Sequence, residues 1–159
     1  MKSVKCHICS RENEISEDAF FCVSCGADLS NPATESLLME SKKEGSYATS
    51  DKLTDVRKNA YIYLTNKRLI VIPADVKYAG IGITGALTAL AAQATWNIIK
   101  SNQPNLISIP LERFKTQRDG RFGLLVKALI IETKDNEIIK IAAPNLKEWK
   151  DAITKAAKI

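Results

Sequence analysis

Apolar residues recur along this chain mostly in short alternating or continuous runs, and near its end at helical spacing. The clearest run is residues 60–64 (AYIYL), followed by Thr65-Asn66-Lys67 and then residues 68–72 (RLIVI). This pattern predicts a β-hairpin, with Asn66 free to take a positive φ in the turn and Pro73 ending the second strand. Residues 106–109 and 111–115 read as strand on either side of Pro110. Residues 124–133 and 137–142 read as a further hairpin across Asp135-Asn136. Leu146, Trp149, Ile153 and Ala156 then form one apolar stripe on a helix over residues 146–158. Residues 45–58 are polar enough for a loop or edge strand, and residues 35–44 fit a short helix or a first strand equally well. The whole reads as a sheet or barrel plugged by one C-terminal helix.

One stretch breaks the pattern. Between Lys77 and Lys100 lie 22 residues without a charge, YAGIGITGALTALAAQATWNII. The length suits a membrane span of about 20 residues, but glycines, threonines, Gln93 and Asn97 dilute it, and the flanking lysines supply no orientation signal. A single crossing would also put strands 68–72 and 106–109 on opposite sides of a membrane, although both belong to one sheet. We therefore read residues 76–104 as an insertion carrying an apolar helix. Ile83, Leu87, Leu90, Ala94 and Ile98 lie along one side of it, with Trp96 elsewhere on the wheel, so it needs burial from more than one direction. Small residues at Gly82, Gly85, Ala86 and Ala89 permit close helix approach. Packing against its own domain or a second copy is the first expectation, ahead of insertion into one leaflet and of full spanning; Ile83, Leu87, Leu90, Trp96 and Ile98 are the candidate contacts.

Candidate chemistry sits at the other end. All four cysteines fall in two Cys-x-x-Cys pairs, Cys6/Cys9 and Cys22/Cys25, with twelve residues between them. Two short loops each giving two thiolates suit a tetrahedral Zn²⁺ with metal–sulfur bonds of about 2.3 Å. Iron accepts the same sulfur set. A redox Cys-x-x-Cys needs one pair only, at a helix start after a buried strand. The first five residues carry two lysines and no apolar run, so no signal peptide is read and a thiol-preserving cytoplasmic setting is expected. Four thiolates leave no open coordination position, so the metal's expected role is structural. His7, the one histidine, reads as a solvent-facing loop residue.

These knuckles resemble the small zinc ribbons of many bacterial and archaeal proteins. The second, CVSCG at residues 22–26, followed by Ala27-Asp28-Leu29 and preceded by Phe20-Phe21, matches well; the first has His7 where proline is common and Ser10 where glycine is usual. The resemblance covers residues 1–30, with a linker at 31–35. Residues 60–72, AYIYLTNKRLIVI, closely resemble the LTNKRL hairpin of GRAM and bacterial pleckstrin-homology-like (PH-like) domains, and IPLERF at 109–114 and the Trp149 helix sit where that family would place them. Over residues 36–159 this resemblance implies an α+β, PH-like antiparallel barrel with a C-terminal helix, interrupted by the apolar insertion. In that family some members contact lipid and others protein.

Charge refines the picture. The 159-residue chain carries a formal +5 at neutral pH. Residues 1–30 hold three basic and five acidic side chains, whereas residues 61–159 hold fifteen and eight. The excess positive charge therefore belongs to the second module. An acidic ribbon argues against nucleic-acid binding, which needs a basic face to displace counterions. A nucleic-acid-associated regulator using Arg113, Lys115, Arg118 and Arg121 stays as the alternative. Those four residues, placed around an expected Asp119-Gly120 turn, would meet Lys67 and Arg68 in one basic rim for phosphate groups or an anionic leaflet. No phosphate loop, nucleophile elbow or second metal motif is present, so no enzyme is expected. The expectation is a zinc-binding adaptor at a membrane surface or on a protein partner, on the inner face of a prokaryotic membrane, with self-association through the insertion as a further possibility.

Overall fold

The computed structural model describes residues 2–15, 20–74 and 106–159. The expected apolar helix, with Ile83, Leu87, Leu90, Trp96 and Ile98, lies outside the described residues. Near the N-terminus, β1 (Lys2–Lys5) and β2 (Glu12–Ile15) pair antiparallel, Lys2 opposite Ile15 and Lys5 opposite Glu12. The main sheet is built from β3 (Leu37–Glu40), β4 (Gly45–Ala48), β5 (Lys58–Thr65), β6 (Arg68–Pro73), β7 (Ile107–Pro110), β8 (Phe114–Phe122), β9 (Val126–Thr133) and β10 (Ile138–Ala142). Its order is β7-β6-β5-β4-β10-β9-β8, antiparallel throughout, and β3 also pairs with β5. The sheet curls into a half-barrel whose open face is filled by α1 (Leu146–Ala157).

The inner face supplies the main core. Ile62 and Leu64 of β5, Leu69 and Val71 of β6, and Leu129 and Ile131 of β9 are all fully buried, and Trp149 and Ile153 of α1 close over them. The α1 stripe falls where its periodicity puts it. β6 has no polar alternation because both of its faces are covered: its outward Ile70 and Ile72 join Tyr63 of β5 in a second cluster with Cys6, Cys22 and Cys25.

Several local expectations are corrected. Residues 45–48 form an interior strand between β5 and β10, fully buried, rather than a loop or edge. Small side chains explain it: a Cβ on Gly45 would strike Ser41 Oγ and the Ala60 carbonyl. Ser41 also carries the ladder across the break between β3 and β4, since its N–H donates to the Ile62 carbonyl (2.9 Å) and its Oγ accepts from the Ile62 N–H (2.8 Å). Leu111–Arg113 is a single 3₁₀ turn, and the strand begins at Phe114. Asp119 and Gly120 do not turn; they lie within β8, opposite Leu129 and Ala128. Gly120 is there to make room, because a Cβ would collide with the Ile130 side chain. The turn falls at residues 123–125, with Gly123 at φ 58°. Asn66 does not adopt a positive φ. Thr65 Oγ1 organises that turn instead by accepting from the N–H groups of Lys67 (3.1 Å) and Arg68 (3.0 Å), while Asn66 Oδ1 accepts from the Ser36 N–H (2.8 Å).

Candidate metal centre

The two cysteine knuckles are built alike. Cys6 N–H donates to the Arg11 carbonyl (2.7 Å) and Ser10 N–H returns to the Cys6 carbonyl (3.0 Å); Cys22 N–H donates to Ala27 (2.8 Å) and Gly26 N–H returns to Cys22 (2.8 Å). Each knuckle needs one left-handed residue, Ser10 at φ 61° and Gly26 at φ 73°. Glycine takes that conformation freely, whereas serine pays for its Cβ. Asn13, on β2 and buried, ties the knuckles together: its Nδ2 donates to the Arg11 carbonyl (2.8 Å) and its Oδ1 accepts from the Val23 N–H (3.0 Å).

Four sulfurs converge. Cys6 and Cys25 Sγ are 3.6 Å apart, Cys9 and Cys22 Sγ are 3.5 Å apart, and all four lie within 4.8 Å of one another. These separations are too long for a disulfide bond. Tetrahedral zinc with about 2.3 Å bonds puts its sulfurs about 3.8 Å apart, so the cluster is the right size for one metal ion. The Ile8 N–H donates to Cys6 Sγ at 3.4 Å, the sort of outer contact that stabilises a thiolate. As bare thiols the group is electrostatically unequal. Hydrogen bonds from Cys22, Cys25 and Cys9 pull Cys6 far down, whereas hydrogen bonding with Cys22 pushes Cys9 far up. A dication is what would let all four ionise together. His7 is half-buried with its Nε2 shielded, not the solvent-facing residue expected from its loop position.

The six basic candidates do not gather into one rim. Lys67 and Arg68 sit at the β5–β6 turn, which meets the start of the 3₁₀ turn through Leu111 N–H to the Lys67 carbonyl (2.9 Å). Arg118 and Arg121 lie towards the other end of β8, whose stretch from Phe114 to Arg121 spans about 24 Å at strand rise. Most are also paired. Arg68 Nε holds the buried Glu35 at 2.8 Å, Arg113 holds Asp135 (2.6 Å) and Glu137 (2.8 Å), Lys115 holds Glu132 (3.0 Å), and Arg118 holds Asp51 (2.6 Å). Arg121 donates to the Leu124 carbonyl at 3.2 Å, and Lys67 is exposed. Burial would raise the Glu35 carboxyl, but hydrogen bonds from Arg68 and Thr65 outweigh it and hold it below the usual carboxylate range.

Sequence reasoning missed the most unusual charge. Lys140, in the middle of β10, is fully buried, with its Nζ 3.0 Å from Asp55 and hydrogen-bonded to the Lys52 and Arg121 carbonyls. It also lies 4.6 Å from the centre of the Phe122 ring. The one lysine inside the apolar run IIKIAA at residues 138–143 was the available signal.

The curled sheet closed by one C-terminal helix defines a PH-like class of fold. Two solved structures share it: the N-terminal PH domain of Vps36, at 15% identity and TM-score 0.50, covering 88% of this chain and 91% of that one; and the C-terminal domain of an unknown protein from Leishmania infantum, at 14% identity and TM-score 0.50, covering 82% and 91%. No family model and no curated protein matches the sequence.

Proposed function

We propose that this chain is a non-enzymatic, zinc-holding adaptor whose GRAM-like barrel docks on a membrane surface or a partner protein, in the cytoplasm at the inner face of a prokaryotic membrane. One observation carries this reading: the four-sulfur cluster is packed onto the outside of a PH-like half-barrel, in one apolar cluster with Tyr63, Ile70 and Ile72. A Cys₄ centre has no open coordination position for a substrate, so the metal's contribution is to hold the ribbon's shape against the sheet. Cys6, Cys9, Cys22 and Cys25 are the ligands. Arg113, Lys115 and Arg118 already spend their charge on neighbouring carboxylates, which favours docking over a phosphate-tracking nucleic-acid surface. Self-association through residues 78–99 remains part of the proposal.

Fractionation of cells expressing the full chain tests it. Sedimentation with membranes and release by a high-salt wash supports peripheral docking; resistance to both salt and alkaline carbonate would instead mean insertion of the apolar segment. A chain found wholly in the supernatant removes the membrane arm and leaves a protein partner.

A further inference from the structure

The β8–β9 hairpin ends in an unusual way. Hairpin tips ordinarily carry Asn, Gly or Asp, but here Gly123 is followed by Leu124 and Leu125, which are 83% and 92% exposed. They project beyond the last paired residues, Phe122 and Val126. Beside them lies residue 53, a further leucine at 58% exposure, fastened by the Gly123 N–H donating to its carbonyl at 2.9 Å. The buried ammonium of Lys140 fixes the same neighbourhood by binding the Lys52 and Arg121 carbonyls together.

Among the described residues, the basic side chains around this tip meet no carboxylate. Arg121 stands directly opposite Lys127 in the β8–β9 register, both exposed. Like charges directly opposite weaken a hairpin, so this pair costs stability unless an anion meets it. Exposed Lys52 completes the group. The nearby carboxylates are taken, Asp51 by Arg118 and Asp55 by Lys140, and among the described residues no ion pair involves Lys52, Arg121 or Lys127.

We propose that this hairpin tip, with residue 53 beside it, is the docking face and that its occupant is an anionic lipid bilayer; the proposal rests on the docking reading above and names its surface. Leucines on a short projection ringed by cations suit the bilayer interface, where apolar side chains enter the acyl boundary and ammonium and guanidinium groups stay at phosphate level. The tip is convex, with nothing within 4 Å of the position a Gly123 Cβ would occupy. A stable protein interface needs about 1,000 Å² of matched surface, which two leucines on a projection do not provide, whereas a bilayer closes around them.

The test is sedimentation of the full zinc-loaded chain with phosphatidylcholine vesicles, with and without phosphatidylserine. Three proteins are compared: wild type, Leu124→Ser/Leu125→Ser and Arg121→Gln/Lys127→Gln, all at matched melting temperature. Wild type is expected on the phosphatidylserine vesicles only. The charge variant weakens binding about twenty-five-fold, at about fivefold per cation, and the leucine variant about tenfold or more. Wild-type binding that neither variant weakens leaves membrane docking standing and overturns this face. Wild type that ignores the vesicles but binds polyglutamate assigns the face to an acidic protein and overturns the bilayer. Binding to neither overturns the face altogether, and only the cell fractionation then decides the fate of the broader docking reading.

Discussion

At the scale of single residues, the first knuckle carries a correctable strain. Ser10 occupies the left-handed position that Gly26 occupies in the second knuckle, with the same return hydrogen bond. Ser10→Gly is expected to stabilise the zinc-loaded protein by up to about 1 kcal/mol, the ordinary cost of a Cβ at positive φ less the entropy glycine brings to the unfolded chain. Thermal melting at fixed zinc checks it; a lower melting temperature would show that the Ser10 side chain makes a compensating contact. Glu35 gives a second prediction, with a definite pH sign. Its folded carboxyl titrates below its unfolded value because Arg68 and Thr65 hydrogen-bond the charged form. Its contribution is therefore complete above an unfolded value of about 4.3 and is lost as pH falls through the lower folded value. Glu35→Gln should cost about 2 kcal/mol at neutral pH, reflecting a pair that is buried but not sealed from water. The gap from wild type should close as pH drops below 4.3. A gap in urea-unfolding stability that stayed constant from pH 7 to pH 3 would assign the effect to packing rather than charge.

At the scale of elements, Lys140 joins three pieces of backbone that are distant in sequence. Its ammonium holds Asp55 and the Lys52 carbonyl in the loop after β4 and the Arg121 carbonyl at the end of β8. Lys140→Met keeps most of the side-chain volume but removes every donor, stranding two carbonyls and a carboxylate. A loss of about 3 kcal/mol in urea unfolding is expected, and a change under 1 kcal/mol would mean water takes over those acceptors. This clamp also marks the limit of what the chain reveals before folding. β5–β6, β9–β10 and α1 were legible because turn residues and periodicity are local signals. The sulfur cluster was legible because spacing alone defines it. Asn13 and Lys140 were not, since their partners lie 10 and 88 residues away. Gly120 misled because glycine in a strand makes room for a neighbour, here Ile130, as readily as it makes a turn. β4 hid because Gly45 and Ser46 look like loop, although their smallness is what admits them between β5 and β10. The continuous apolar run of β6 did hold an unused clue, that something covers both sides of the hairpin.

At the scale of the molecule, that covering means a metal held by the four cysteines would stabilise more than its own loops. A module of about 30 residues is too small to hold itself by burial and relies on metal or a neighbour. Here the neighbour is in place, because Ile8, Ala27 and Leu29 are buried against Tyr63, Ile70 and Ile72, and the four-sulfur cluster offers a site for the metal. Removing the metal should therefore do two things together: the knuckles lose the ion that lets four thiols ionise side by side, and the outer face of β5–β6 becomes wet. The inner core, with Trp149 and Ile153 under β9, draws on none of the sulfurs, so the half-barrel is expected to survive as a less stable body. Chelation of the loaded protein should release one zinc per chain, lower the melting temperature and raise the fluorescence of a hydrophobic dye, with far-ultraviolet circular dichroism largely kept. Returning zinc should reverse all three. Acid should release the metal in the same way, since protons compete for the thiolates as pH falls. Ile70→Ala separates the two contributions. It leaves the sulfurs untouched but thins the contact beneath them, so zinc should still bind while withstanding less chelator than in wild type. Identical chelator resistance in Ile70→Ala and wild type would show that the ribbon folds on its metal alone and owes the sheet nothing.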